Sequence, residues 1–300
     1  MANLEVEFLG KTLLSPIIGA SGTYGYGVEY ADMVDFSKIG GVSSKGLTLN
    51  PKAGNMGERL WETPSGLMNS IGLQNPGVKH FIQHELPQMK TLNTAIFANL
   101  GGNCAEDYQE GAKLLSETEI DFIELNISCP NVKQGGIAYG IRSENAREIV
   151  QQVKSVCKKP LIVKLSPNAE NIVEMAQACV KAGADALSLV NTFQAMAIDL
   201  EKRKPVFENV YAGLSGAAIR PIALRMVHQV CKNVTVPVIG LGGITTGRDA
   251  LEFIMAGATA VQVGTANFAN PKACMNIADE MVEWLDKNGV ATLDEIRGCV

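Results

Sequence analysis

Six apolar segments of this sequence end in a polar side chain, and this pattern predicts one shared site. The residues that close these segments are Ser21, Lys45, Asn99, Asn126, Lys164 and Asn191. Capping of a following helix could explain a single Ser or Asn. It does not explain the two lysines, because an ammonium at a buried position is costly unless an anion or a carboxylate meets it. We therefore predict that the six side chains converge.

Glycines follow three later segments and could bind phosphate. They are Gly216 in LSGAAI, Gly242 and Gly243 in GLGG, and Gly264, which precedes Thr265. Glycines leave backbone N–H groups free to approach phosphate oxygens, although ordinary loop glycines remain the alternative. The sequence has neither the G-x-G-x-x-G pattern after Gly240 nor a G-x-x-x-x-G-K-[ST] motif. A mononucleotide such as FMN therefore fits better than NAD.

Cys129, in NISCPN, is the candidate catalytic base. An ordinary thiol has a pKa of about 8.5, close enough to neutrality to remove a proton that a neighbouring carbonyl has made acidic. A nucleophilic role and an inert buried thiol are the alternatives. His80 and His84 are four residues apart, but Phe81 replaces the Glu of a zincin motif and no third ligand is apparent. We predict no metal site.

The elements that must position these residues resemble those of a (β/α)8 barrel. Continuous apolar runs are typical of strands that are covered on both faces of a parallel sheet. Eight such runs occur, at 16–21, 41–46, 94–101, 121–128, 160–166, 184–191, 237–243 and 259–265. Helical spacing is seen at 145–157 and 171–184, a hairpin is predicted at 4–14, and long irregular insertions at 47–76, 129–141 and 192–217. In such a barrel the strand ends meet at the C-terminal face, where active sites lie.

Length and charge narrow the function. We expect residues 1–300 to form one domain, because a barrel of this type needs about 250 residues. A net charge of −5 and a pI near 5.4 disfavour nucleic acid and anionic membranes as partners. Seven scattered cysteines suit the reducing cytoplasm. Without a C-x-x-C motif, an iron–sulfur cluster would have to belong to a partner.

At these residues the sequence resembles the class 1 dihydroorotate dehydrogenases, and specifically the class 1B catalytic subunit, over essentially its whole length. The matching motifs are SSKGLTLNPKAGN at 43–55, MNSIGLQNPG at 68–77 and NISCPNVKQGG at 126–136. One departure is GNMGER at 54–59, where the family usually carries a proline-containing stretch.

The resemblance implies a role for each candidate. Cys129 would remove a proton from C5 of dihydroorotate while a hydride leaves C6 for N5 of FMN. The implied substrate contacts are Lys45, Asn69, Ser70, Ile71, Gly72, Leu73, Asn126, Asn131, Asn191 and Thr192. The implied FMN contacts are Ala20, Ser21, Lys45, Gly46, Asn99, Asn126, Lys164, Val190, Gly216, Gly242, Gly243, Gly264 and Thr265.

The class 1B resemblance also implies an outlet for the electrons. A second subunit carrying FAD and a 2Fe–2S cluster would pass them to NAD, in a heterotetramer built on a dimer of this chain. A class 1A-like homodimer that reduces fumarate is the alternative within the family. A Schiff-base aldolase using Lys45 or Lys164 is an alternative from another class of enzyme.

Overall fold

A computed structural model describes residues 2–128 and 139–300 of the chain. Most of its strands are short. They are β1 (Val6–Phe8), β2 (Lys11–Leu13), β3 (Ile17–Gly19), β4 (Gly41–Ser43), β5 (Leu60–Thr63), β6 (Gly66–Asn69), β7 (Ala95–Leu100), β8 (Phe122–Asn126), β9 (Leu161–Lys164), β10 (Ala186–Leu189), β11 (Phe193–Met196), β12 (Ile198–Asp199), β13 (Lys204–Pro205), β14 (Tyr211–Ser215), β15 (Val238–Leu241) and β16 (Ala260–Val263).

Eight parallel strands close into a barrel in the order β3, β4, β7, β8, β9, β10, β15 and β16, and β16 pairs with β3. These are the eight apolar runs of the sequence, so the predicted barrel is confirmed. Each barrel strand is buried along its whole length. Burial on both faces explains why these strands read as continuous apolar runs instead of alternating ones.

Helices surround the barrel, and several are joined to strands by short connections. They are α1 (Val78–His80), α2 (Leu86–Lys90), α3 (Ala105–Ser116), α4 (Ser143–Lys154), α5 (Ile172–Lys181), α6 (Arg220–Cys231), α7 (Gly247–Met255), α8 (Ala266–Ala269) and α9 (Ala273–Lys287). A π-helical turn, Phe81–Glu85, joins α1 to α2.

The two helices predicted from spacing are confirmed with shifted ends. In α5, Ile172, Met175, Ala176 and Cys179 are buried, at the spacing that lines one face of a helix. The Asn171 side chain accepts hydrogen bonds from two backbone N–H groups of the first turn and so fixes the start of α5. Within the described residues, no helix is long and apolar enough to cross a membrane.

The predicted N-terminal hairpin is confirmed as β1 and β2, paired antiparallel. Its Phe8 side chain is fully buried and meets the rings of Phe97 and Phe122 at centroid distances of 6.2 and 5.4 Å. Phe122 is the first residue of its barrel strand. The hairpin therefore covers the N-terminal end of the barrel, where Phe8 completes an aromatic cluster with Phe97 and Phe122.

Two insertions predicted to be irregular contain strands, and that part of the prediction is wrong. The insertion at 47–76 holds β5 and β6, and the insertion at 192–217 holds β11 and β14. These four strands pair into one antiparallel sheet in the order β11, β14, β6, β5. The pairing of β6 with β14 joins segments that are distant in sequence, for example Asn69 with Gly213.

Candidate functional site

The candidate site is a cavity of about 600 Å³ at the C-terminal ends of the barrel strands. All predicted site residues that the structure describes line this cavity. They are Ala20, Ser21, Lys45, Gly46, Asn69, Ser70, Ile71, Gly72, Leu73, Asn99, Asn126, Lys164, Val190, Asn191, Thr192, Gly216, Gly242, Gly243, Gly264 and Thr265. The structure thus brings these residues together, while their individual roles stay predictions.

Cys129 and Asn131 lie outside the described residues. The described residues on either side of that gap include Ser128 and Gly140, which both line the cavity. Ser128 donates a hydrogen bond from its hydroxyl to the Lys164 carbonyl, at 3.2 Å.

The barrel strands position the polar side chains by their alternation. Residues two apart on a strand point to the same face, so one strand carries a column of side chains toward the barrel axis. On β8 this column is Phe122, Glu124 and Asn126, and on β7 it includes Phe97 and Asn99. The column runs from the aromatic cluster, through a polar layer, to the cavity.

Glu124 is the centre of the polar layer and is completely buried. Its Oε2 atom accepts hydrogen bonds from Asn99 and Ser43, at 2.6 and 2.8 Å. Its Oε1 atom accepts from Gln262 and Ser188, at 2.6 and 2.9 Å. A carboxylate has about four acceptor positions, so these four donors satisfy it.

Lys164 supplies the positive charge of the same layer. Its Nζ lies 3.5 Å from Glu124 Oε2, and both side chains are buried, with exposures of 4% and 0%. It also donates to Gln262 Oε1 at 3.0 Å and to Ser21 Oγ at 3.3 Å. Burial alone would raise the pKa of Glu124, but the Lys164 ammonium and the donated hydrogen bonds outweigh it and lower that pKa below its ordinary value.

Sequence reasoning missed Glu124 and Gln262, although both left a signal. Glu124 interrupts the apolar run DFIELN, and Gln262 interrupts TAVQVG. A charged or amide side chain in the middle of a buried strand needs a buried partner. The same argument predicts that Lys45 and Lys164 need buried partners. For Lys164, that partner is the Glu124 carboxylate.

Lys45 carries a positive charge into the cavity, and within the described residues it has no such partner. No carboxylate within the described ranges forms an ion pair with its ammonium group. Burial, and to a lesser extent the Arg59 guanidinium, lowers the pKa of Lys45. Arg59 also lines the cavity and was not predicted. An anionic ligand would counteract both effects and raise the pKa of Lys45 again, because it supplies the missing opposite charge.

Asn126 and Asn191 form a pair of amides at the cavity wall. Asn191 Nδ2 donates to Asn126 Oδ1 at 3.2 Å, and Asn191 Oδ1 accepts from the Thr192 backbone N–H at 2.8 Å. The Tyr108 hydroxyl donates to the backbone carbonyl of Asn126 at 2.9 Å. These contacts fix both amides, and each keeps hydrogen-bonding capacity for a ligand.

The antiparallel sheet made by the two insertions supplies another wall. Asn69, at the end of β6, donates to the Gly213 carbonyl of β14 at 3.3 Å. The Ser70 hydroxyl accepts from Asn55 and Asn209, at 3.0 and 3.2 Å. The sheet therefore ties the segment Ser70–Leu73 to the second insertion, although the two are distant in sequence.

The glycine loops meet beside the end of β14, next to the inserted sheet. Gly243 has a φ of +74°, and a Cβ atom there would lie 2.7 Å from the Gly216 carbonyl oxygen. Thr265 donates from its hydroxyl to the Ser215 hydroxyl at 2.8 Å, which joins the loop after β16 to the end of β14. Glycine at 243 thus permits a close approach of two backbone segments beside the cavity.

The sequence matches the family described as dihydroorotate dehydrogenase over residues 3–285. A protein of Petrotoga mobilis is 57% identical over 300 residues, which cover 100% of both chains. Proteins of Geotalea uraniireducens and Geotalea daltonii are 56% and 52% identical, each over 99% of this chain and 98% of the relative. All three are named dihydroorotate dehydrogenase B (NAD(+)), catalytic subunit. With a match of this extent, and a barrel whose strand ends surround one polar cavity, the chain belongs to the dihydroorotate dehydrogenase family.

Proposed function

We propose that this chain is the catalytic subunit of an enzyme that oxidises dihydroorotate to orotate in pyrimidine synthesis, with FMN bound in the cavity. The observation that carries the proposal is the single cavity, since the residues expected to hold the substrate and those expected to hold FMN both line it. Its volume of about 600 Å³ is within the usual range of ligand sites.

Three features of the cavity fit FMN. The glycines near Gly243 and Gly264 offer backbone N–H groups for one phosphate. The Oδ1 atom of Asn99 is buried and has no hydrogen-bond partner among the described residues, so it can accept from an N–H or hydroxyl of the cofactor. Lys164 supplies a fixed cation, which favours an anionic reduced ring. When bound, FMN would accept the hydride that leaves C6 of dihydroorotate.

The part of the cavity near Asn126, Asn191 and Lys45 suits a pyrimidinedione that carries a carboxylate. The Asn126 and Asn191 amides can meet the N–H and C=O edge of the ring without adding charge. Lys45, which lacks a carboxylate partner within the described residues, would bind the substrate carboxylate. Asn69, Ser70, Ile71, Gly72 and Leu73 would enclose the ring from the side of the inserted sheet.

Cys129 would complete the reaction as the base. Loss of a proton from C5 and of a hydride from C6 leaves the C5–C6 double bond of orotate, so one group must hold that proton. We assign this role to Cys129, with Asn131 as a further substrate contact.

The electrons would leave through a partner subunit. The relatives' names specify a catalytic subunit and NAD(+), and we infer for this chain a partner with FAD and a 2Fe–2S cluster, in a heterotetramer built on a dimer. We also infer a cytoplasmic location and a single domain over residues 1–300. The six cysteines of the described ranges are free thiols, which suits a reducing compartment.

Anaerobic titration of the purified chain with dihydroorotate tests the proposal. We expect a yellow protein whose flavin absorbance bleaches on addition of the substrate. The Cys129→Ala variant should keep its flavin and lose most of the reduction rate, because the proton at C5 has no acceptor. A colourless chain that borohydride traps covalently with substrate would contradict the proposal and favour a Schiff-base enzyme. Unchanged reduction in Cys129→Ala would remove Cys129 from the mechanism.

A further inference from the structure

Glu124 lies behind the cavity wall, where none of the roles assigned so far uses it. It is fully buried and is not one of the residues that line the cavity. Three of its partners, Asn99, Lys164 and Gln262, do line the cavity. The carboxylate is therefore one contact away from the site, at the centre of the barrel.

The hydrogen bonds to Glu124 fix the orientation of these partners. Asn99 gives its amide N–H to the carboxylate, which leaves its Oδ1 as the buried atom without a partner among the described residues. Gln262 gives its amide N–H to Glu124 Oε1 and accepts from Lys164 with its own Oε1. The Asn99 and Gln262 amide N–H groups and the Lys164 ammonium can only donate, while the Ser43 and Ser188 hydroxyls can also accept. Three groups that can only donate therefore favour an ionised Glu124.

The charges of the layer also balance. The ammonium of Lys164 and the carboxylate of Glu124 are both removed from water, and in this environment an unpaired charge is strongly disfavoured. As long as Glu124 is ionised, the wall at Lys164 is close to neutral overall. A negative charge that arises in the cavity is then stabilised less by Lys164, because Glu124 already neutralises much of the charge of that ammonium.

We propose that Glu124 is a positioning residue that orients Asn99 and Lys164 toward the cofactor and, by sharing the charge of Lys164, limits how strongly the site stabilises reduced FMN. This inference rests on the proposed function, because it requires FMN in the cavity. It assigns to the carboxylate an effect on the reduction potential, and Glu124 itself touches neither substrate nor cofactor.

The test is the midpoint potential of the bound FMN, measured by anaerobic titration against a reference dye. Glu124→Gln keeps the size of the side chain and removes its charge. Because Lys164 then lacks its counter-charge, we expect the equilibrium to move toward reduced FMN by about tenfold, or about 30 mV for a two-electron couple. Lys164→Met should shift the potential in the opposite direction, because the cation that stabilises reduced FMN is lost.

Ser188→Ala provides a milder variant in case the first two fail to fold or lose flavin. It removes one hydrogen bond to Glu124 Oε1 and leaves both charges in place. Without this hydrogen bond the negative charge of the carboxylate is less screened and offsets more of the Lys164 charge. We therefore expect a small shift of the equilibrium toward oxidised FMN, by about two- to threefold.

The outcomes separate the two proposals. A chain that binds no flavin would refute the proposed function. A chain that binds flavin, with equal potentials in the parent and Glu124→Gln, would refute only the role of Glu124, because a space-filling residue would not move the potential. A shift of Glu124→Gln toward oxidised FMN would also refute it, since it would mean that Lys164 had lost its charge.

Discussion

The barrel interior is aromatic at one level and polar at the next. Phe97 and Phe122 form the first level, and Asn99 and Glu124, two residues further along the same two strands, belong to the second. At the first level the two rings lie 4.6 Å apart, and Phe8 from the hairpin packs on them. At the second level an amide and a carboxylate share a 2.6 Å hydrogen bond. The comparison indicates a division along the barrel axis, in which the N-terminal end contributes stability and the C-terminal end contributes chemistry.

The largest effect should come from the aromatic end. Phe122→Ala removes a fully buried ring and should lower the free energy of unfolding by about 3–5 kcal/mol. The FMN affinity of the folded protein should stay within about twofold, because the polar layer separates this ring from the cavity. Urea unfolding followed by circular dichroism measures the first quantity, and flavin fluorescence titration measures the second.

Phe268→Ala is the matched control at the opposite end. This ring lines the cavity and is 55% exposed, so its loss should cost less than about 1 kcal/mol of stability. If Phe122→Ala weakened FMN binding tenfold while the protein remained folded, the proposed division along the axis would be wrong.

A smaller effect is expected at the glycine loops. Gly243→Ala places a Cβ atom 2.7 Å from the Gly216 carbonyl oxygen in a backbone with positive φ, and should cost about 1–3 kcal/mol. It should also weaken FMN binding, because the loop must shift where the phosphate is expected to bind. Gly289→Ala is the control: its φ is +68°, and a Cβ there meets nothing within 4 Å. Gly289→Ala should lower the free energy of unfolding by less and leave FMN binding unchanged. Equal FMN affinities in the two variants would argue against a phosphate site at Gly243.

The sequence alone was enough to predict the barrel, because each wall strand is a continuous apolar run between polar connections. It also predicted that the six polar residues at the strand ends face one cavity, since parallel strands bring their C-terminal ends to one face of the barrel. The inserted sheet was missed. Its first hairpin had a turn signal, Pro64 and Ser65 between LWET and GLMN, but its central pairing depends on a strand more than a hundred residues away.

The polar layer could be predicted only in part, for a related reason. Lys164 was recognised as a lysine that needs a partner, but nothing local identifies which carboxylate provides it. Glu124 is 40 residues before Lys164, and Gln262 is 138 residues after Glu124. Glu124 and Lys164 lie on the neighbouring strands β8 and β9, but only closure of the barrel brings Gln262 on β16 to the same level. The complete network is therefore a property of the topology.

The smallest effect concerns acid stability and tests the polar layer alone. Burial would raise the pKa of Glu124, but attraction to Lys164 and the hydrogen bonds together outweigh it and lower the folded-state pKa below the ordinary 4.5. A lowered pKa contributes stability that is present above the unfolded pKa and is lost as the pH falls through the folded one. Between pH 5 and pH 3 the parent should therefore lose more free energy of unfolding than Glu124→Gln does. Urea unfolding of both proteins across this range measures the difference between their free energies of unfolding. The other carboxylates contribute equally to both proteins and so cancel in this difference. Parallel curves would mean that the partners of Glu124 do not lower its pKa in the folded protein. The polar layer would then contribute to stability by packing and not by charge.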